Sequence, residues 1–94
     1  MKLIDHAPHV IKELVEAGRP VTQTDLTELV FGSSGRGDTG LTRSLFPYVI
    51  KRGWVTTQKK GRSTLFEVTD LGRKMIGTDD PHANWNFETH TFNS

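Results

Sequence analysis

The chain predicts an α+β domain of three helices, a two-stranded β-hairpin and a short final helix, followed by a tail that carries aromatic residues. Three observations lead there. Apolar residues recur at helical spacing between Asp5 and Ile50. The pattern changes to that of strands after Gly53. A Lys59-Lys60-Gly61-Arg62 turn then joins two runs rich in threonine, valine and aromatics.

The first helix is expected from Asp5 to Glu16, with Ala7, Val10, Ile11, Leu14 and Val15 on its buried face. Asp5 suits its N-cap and Gly18 its stop. Pro8 fits because it falls in the first turn, where its missing amide hydrogen leaves no helical bond unmade. Arg19-Pro20-Val21 then reads as an extended connector or a short edge strand, since proline biases its predecessor away from helix. In the second helix Thr22 caps, Asp25 can reach back in a capping box, and Leu26, Leu29 and Val30 form the buried stripe.

Gly32-Ser33-Ser34-Gly35-Arg36-Gly37-Asp38 is a loop by composition. It lacks the lysine-threonine pair and the preceding strand of a nucleotide-binding loop, so it is expected to order on DNA, with Arg36 on a phosphate. The third helix should run from a Thr39 cap to Gly53, its core face made of Leu41, Leu45, Phe46, Val49 and Ile50. Its opposite face opens with Gly40, Thr42, Arg43 and Ser44, small or hydrogen-bonding residues around one guanidinium that can address guanine or a phosphate. Pro47 implies a kink in one continuous helix; the alternative is a main helix that starts near Ser44, with Pro47 in its first turn.

Beyond Gly53, residues 54–58 and 63–68 form the hairpin, with Val55, Phe66 and Val68 closing the core beneath it. Lys59, Lys60, Gly61 and Arg62 stand at its tip, where they suit a phosphate or minor-groove contact. Thr69 should cap the final helix, which Gly77 ends. Residues 78–94 lack helical periodicity and read as an extended tail. Trp85, Phe87 and Phe92 are too apolar to leave in water, so the tail is expected to add a strand, fold back on its own domain or bridge to another protein subunit.

Charge is partitioned along the chain. Residues 36–62 carry Arg36, Arg43, Lys51, Arg52, Lys59, Lys60 and Arg62 against Asp38 alone, a net +6, whereas residues 1–35 carry −2 and residues 63–94 carry −3. Such a block between acidic flanks matches the footprint of a phosphate-binding surface. At 94 residues the chain buries a small core, which argues against a deep catalytic cleft. No Ser-His-acid order, carboxylate pair or HExxH motif points to an enzyme. With no cysteine, disulfides, thiolate metal sites and thiol nucleophiles are excluded. His6 and His9 lie three apart, and a tail histidine could complete a metal site, but nothing further in the sequence supports coordination. No cofactor and no metal are expected. No apolar run is long enough to span a bilayer and the N-terminus lacks a signal peptide's apolar centre, so a cytoplasmic location with no membrane partner is expected.

Two motifs carry a family resemblance. Ile50-Lys51-Arg52-Gly53-Trp54-Val55 resembles the end of the recognition helix in winged helix-turn-helix transcription regulators, particularly the MarR-like and PadR-like groups. Phe66-Glu67-Val68-Thr69-Asp70-Leu71-Gly72 is similar to their wing-to-helix junction, and the resemblance covers residues 1–77. It implies a winged-helix domain with a helix in the major groove, a wing on the backbone or minor groove, and commonly a homodimer. The long glycine-rich loop and Pro47 depart from that pattern, and the long flanking helices that usually dimerise those regulators and hold their effectors are missing, so ligand sensing is not expected. The expected function is sequence-specific binding of double-stranded DNA, as a dimeric transcriptional repressor or regulator of prokaryotic or viral origin. Arg36, Lys59, Lys60 and Arg62 would hold phosphates while Thr39, Thr42, Arg43 and Ser44 read bases. The alternatives are a protein-interaction module, with the tail aromatics as anchors, and an architectural or recombination-directionality factor.

Overall fold

A computed structural model describes residues 2–32, 41–77 and 79–93. Among these residues it is a small α+β domain of four α-helices, a three-stranded antiparallel sheet and a separate two-stranded sheet. In chain order they are α1 (Ala7–Ala17), β1 (Val21–Thr22), α2 (Gln23–Phe31), α3 (Phe46–Lys51), β2 (Val55–Lys60), β3 (Ser63–Val68), α4 (Asp70–Met75), β4 (Trp85–Asn86) and β5 (Thr91–Phe92). A 3₁₀ turn over Leu3–His6 precedes α1, and a π-helical turn over Leu41–Leu45 leads into α3.

Local chemistry sets the helix ends. Gly18 and Gly32 close α1 and α2 in the left-handed region, at φ 66° and 73°. Thr22 caps α2 by accepting from the Asp25 amide at 3.2 Å, and Thr69 caps α4 by accepting from the Gly72 amide at 3.1 Å. The start of α1 departs from expectation. Asp5 belongs to the 3₁₀ turn and is buried, so α1 begins at Ala7 without a side-chain cap. In α2 the inward stripe is Leu26, Thr27 and Val30, while Leu29 stays 45% exposed. Thr27 can occupy the interior because its hydroxyl donates to the Gln23 carbonyl at 2.8 Å.

The third helical segment is not one kinked rod. Its expected start at Thr39 lies outside the described residues. From Leu41 the backbone makes a wide π turn, and α3 restarts at Phe46 with Pro47 in its first turn. There the ring deletes no hydrogen bond, and the wider preceding turn relieves its clash with the carbonyl four residues back. The restart also resets the helix phase. Leu45, Phe46 and Val49 point inward, and Ile50, expected in the core, is 39% exposed.

The sheet order is β1-β3-β2, so the proline connector does supply an edge strand. Val21 and Thr22 pair with Phe66 and Leu65, whereas the β2/β3 ladder runs from Val55↔Val68 to Lys60↔Ser63. The last two rungs, Lys59↔Thr64 and Lys60↔Ser63, therefore extend past β1 as a free-standing hairpin. Its two-residue loop has Gly61 left-handed at its first position, φ 63°, which matches the twist of the flanking strands.

The core joins α1, α2, α3 and the sheet through residues such as Ile11, Leu14, Leu26, Val49, Val55 and Phe66. The segment expected as an extended tail is instead a short hairpin, β4 paired with β5, and Trp85 and Phe92 enter that same core at 5% and 9% exposure. They stand edge-on to Trp54, with ring centroids 5.8 and 4.8 Å away. Three aromatic rings in mutual contact bury enough apolar surface to bring a polar-rich segment back onto the domain. No helix among the described residues is long and apolar enough to cross a membrane.

Candidate nucleic-acid interface

The hairpin positions four of the expected contacts. Thr56 through Lys60 are exposed, so both faces of the outer part of β2 meet water. Lys59, Lys60, Gly61 and Arg62 share the tip, and none of the three cations forms an ion pair with a described residue. Arg62 borders a polar cleft of about 260 Å³ together with Thr22, Gln23 and Thr24 at the start of α2, and Ser63 and Thr64 of β3. Hydroxyls and a guanidinium therefore line one cleft between the hairpin and the start of α2.

Arg43 and Ser44 are exposed on the π turn, which packs against the Leu3–His6 turn. Arg43 has no ion-pair partner among the described residues. These two residues and the hairpin tip are thus carried by different elements: one group sits beside the N-terminal turn, the other beside the start of α2. Arg36, Thr39 and Gly40 lie outside the described residues, as does the side chain of Thr42.

Two cations left out of the expected contact set also form no ion pair with a described residue. Lys51 and Arg52 end α3, exposed, beside the half-buried Tyr48. The spacing of Tyr48 and Arg52, four residues apart on a helix, is the sequence signal that could have singled them out.

The tail aromatics divide. Trp85 and Phe92 are committed to the core, which is the fold-back alternative and takes these two away as anchors for another protein. Phe87 is 50% exposed and stacks on His82, with centroids 5.5 Å apart and planes 6° from parallel. The histidines are engaged one by one. His9 pairs with Glu13 at 3.2 Å, His82 Nε2 lies 2.7 Å from the Asp5 carbonyl, and His90 Nδ1 lies 2.8 Å from Asp5 Oδ1. His6 packs against the Phe31 ring. No group of three or more His, Asp or Glu side chains poised to hold a metal ion occurs among the described residues.

Asp5 is the buried electrostatic centre of the molecule, at 3% exposure. Its carboxylate accepts from Trp85 Nε1 at 2.8 Å and from the Lys2 amide at 3.2 Å, besides its contact with His90. Burial alone would push this carboxyl up. The bonds from His90, Trp85 and Lys2, with the His90 charge, outweigh burial and hold it below its ordinary 3.8. Burial, followed by the charges of His9 and His82, holds the His6 imidazole below its ordinary 6.5.

No family model, curated protein or solved structure matches the chain.

Proposed function

We propose that the chain is a winged-helix protein that binds double-stranded DNA sequence-specifically, acting as a dimer to regulate transcription by occluding a promoter. One observation carries the reading: a hairpin that stands clear of the sheet edge, exposed on both faces, with three cations at its tip that no described acid neutralises. A surface of that kind is costly to keep near other positive charge and is stabilised by phosphate, which releases counterions as it binds. Arg43 and Ser44, exposed ahead of α3, supply the base-reading groups. The role is binding, without catalysis or a cofactor.

A protein-interaction module is the second reading, and a specific feature favours it. β2 is an edge strand whose Thr56–Lys60 stretch is exposed, so a partner strand could pair with it.

Selection of bound sequences from a random duplex pool separates the two. DNA binding predicts enrichment of a two-fold symmetric site and affinity that falls steeply with salt. A purified, folded chain that enriches nothing and ignores duplex DNA at low salt would overturn the proposal in favour of the module.

A further inference from the structure

Among the cations of the basic block, Arg52 is held in place by other side chains. Its Nε donates to the Tyr48 hydroxyl at 3.3 Å, and its guanidinium carbon lies 5.5 Å from the Tyr48 ring centroid. The Tyr48 hydroxyl in turn donates to the His90 carbonyl, and its ring meets Trp54 edge-on at 5.8 Å. One phenol proton and one lone pair are both used, so the ring is fixed from two sides. His90 is itself fixed on the buried Asp5 carboxylate, which also holds Trp85. A continuous chain of contacts thus runs from an interior carboxylate, through the C-terminal hairpin, to a guanidinium at the surface.

That guanidinium keeps its outer edge free. Among the described residues neither Nη atom has a partner, and Lys51 beside it is unpaired. Tyr48, Lys51 and Arg52 line a cleft of about 310 Å³. Cations at a helix C-terminus are favoured by its carbonyl end, which accounts for positive charge at residues 51 and 52. It does not account for a guanidinium stacked and hydrogen-bonded through Nε, on an exposed residue whose Nη donors have no partner among the described residues. A group with several anionic oxygens matches that fork, with the lysine as a supporting point charge.

We infer that Tyr48, Lys51 and Arg52 form a phosphate-binding cleft whose guanidinium is pre-positioned by the C-terminal hairpin. Its ligand is a backbone phosphate of duplex DNA, an assignment that rests on the function proposed above. Holding the side chain in place before contact removes much of the ordering cost a free surface arginine carries. The hairpin is therefore part of the binding apparatus as well as of the core.

The test uses the full chain, with duplex affinity read by fluorescence anisotropy and the Arg52 Nε–H signal followed by NMR. Arg52→Ala should weaken specific and random duplexes alike, by roughly three- to tenfold at moderate salt, the loss of about one phosphate contact. Arg52→Lys should recover only a minor part, because an ammonium cannot reproduce the fork. Tyr48→Phe keeps the ring and removes the hydroxyl; it should give an intermediate loss of affinity with a modestly lowered unfolding temperature, the chain staying folded at the assay temperature, and it serves if Arg52→Ala fails to fold. The Nε–H signal should move with duplex and with inorganic phosphate, and stay still with chloride at matched ionic strength. If the wild type ignores duplexes while the signal still follows inorganic phosphate, the cleft stands with a free phosphate as ligand and the DNA reading falls. Wild-type affinity in Arg52→Ala and Arg52→Lys, or a signal indifferent to both duplex and phosphate, would overturn the cleft.

Discussion

Asp5 shows how much a single side chain can hold together. It accepts hydrogen bonds from residues 80 and 85 positions away, and removing it leaves the Trp85 N–H and the His90 ring facing each other without an acceptor. Asp5→Ala should therefore cost about 2–3 kcal/mol in urea denaturation, the penalty of leaving buried donors unpaired. Acid should act through two groups. His6 has its folded value below 6.5, so the unfolded chain binds its proton first, and the stability His6 confers is complete above 6.5 and lost as pH falls through the folded value. Asp5 repeats the pattern below 3.8. Stability measured stepwise down from pH 7.5 should thus decline below 6.5, and His6→Gln should show a smaller decline; an identical curve would remove His6 from the account. Asp5 was legible in the sequence only as a helix cap, because local pattern carries no information about a partner at the far end of the chain.

At the scale of elements, sequence periodicity located the helices and the hairpin, because capping, turn chemistry and alternation are local effects. Thr22, Thr69, Gly18 and Gly61 behave as their types predict. What escaped was phase and pairing: the π turn ahead of Pro47, the exposure of Val15, Leu29 and Ile50, and the pairing of residues 85–92 as a hairpin, whereas fold-back of the tail onto its own domain was among the expectations. Each is decided by which tertiary surface an element meets. Gly72 is a case where that surface excludes any side chain. A Cβ there would lie 2.3 Å from the Trp54 carbonyl oxygen and 2.9 Å from Val68 Cγ2, where α4 crosses the turn after α3. Gly72→Ala should force the two apart and cost about 1–3 kcal/mol, the usual range for overpacking, read as a lowered unfolding temperature. An unchanged unfolding temperature would mean that α4 shifts freely, in conflict with the bond from the Thr69 hydroxyl to the Gly53 carbonyl at 2.6 Å.

For the whole molecule, the basic block between acidic flanks was the most legible feature of the candidate site, since charge is read directly from the residues. The arrangement of that charge was not. The hairpin tip and Arg43 sit on different elements, and the Arg52 cleft depends on the C-terminal hairpin. The longest dimension is 37 Å, close to the ~34 Å of one duplex turn, a span compatible with the proposed half-site contact. Within a half-site, Arg43→Ala should cost roughly 1–3 kcal/mol on the selected sequence and relax preference at one base pair, if its guanidinium bridges a guanine edge. Equal losses on selected and random duplexes would reduce Arg43 to a phosphate contact.

The proposed grip of the β2/β3 hairpin on DNA is open to one direct measurement: duplex affinity of the wild type and of a Lys59→Ala, Lys60→Ala double variant across a range of salt concentrations. Two lost phosphate contacts should flatten the slope of log affinity against log salt by about 1.8, with weakening on every duplex tested. A double variant whose slope and affinity match those of the wild type would contradict a hairpin that grips DNA.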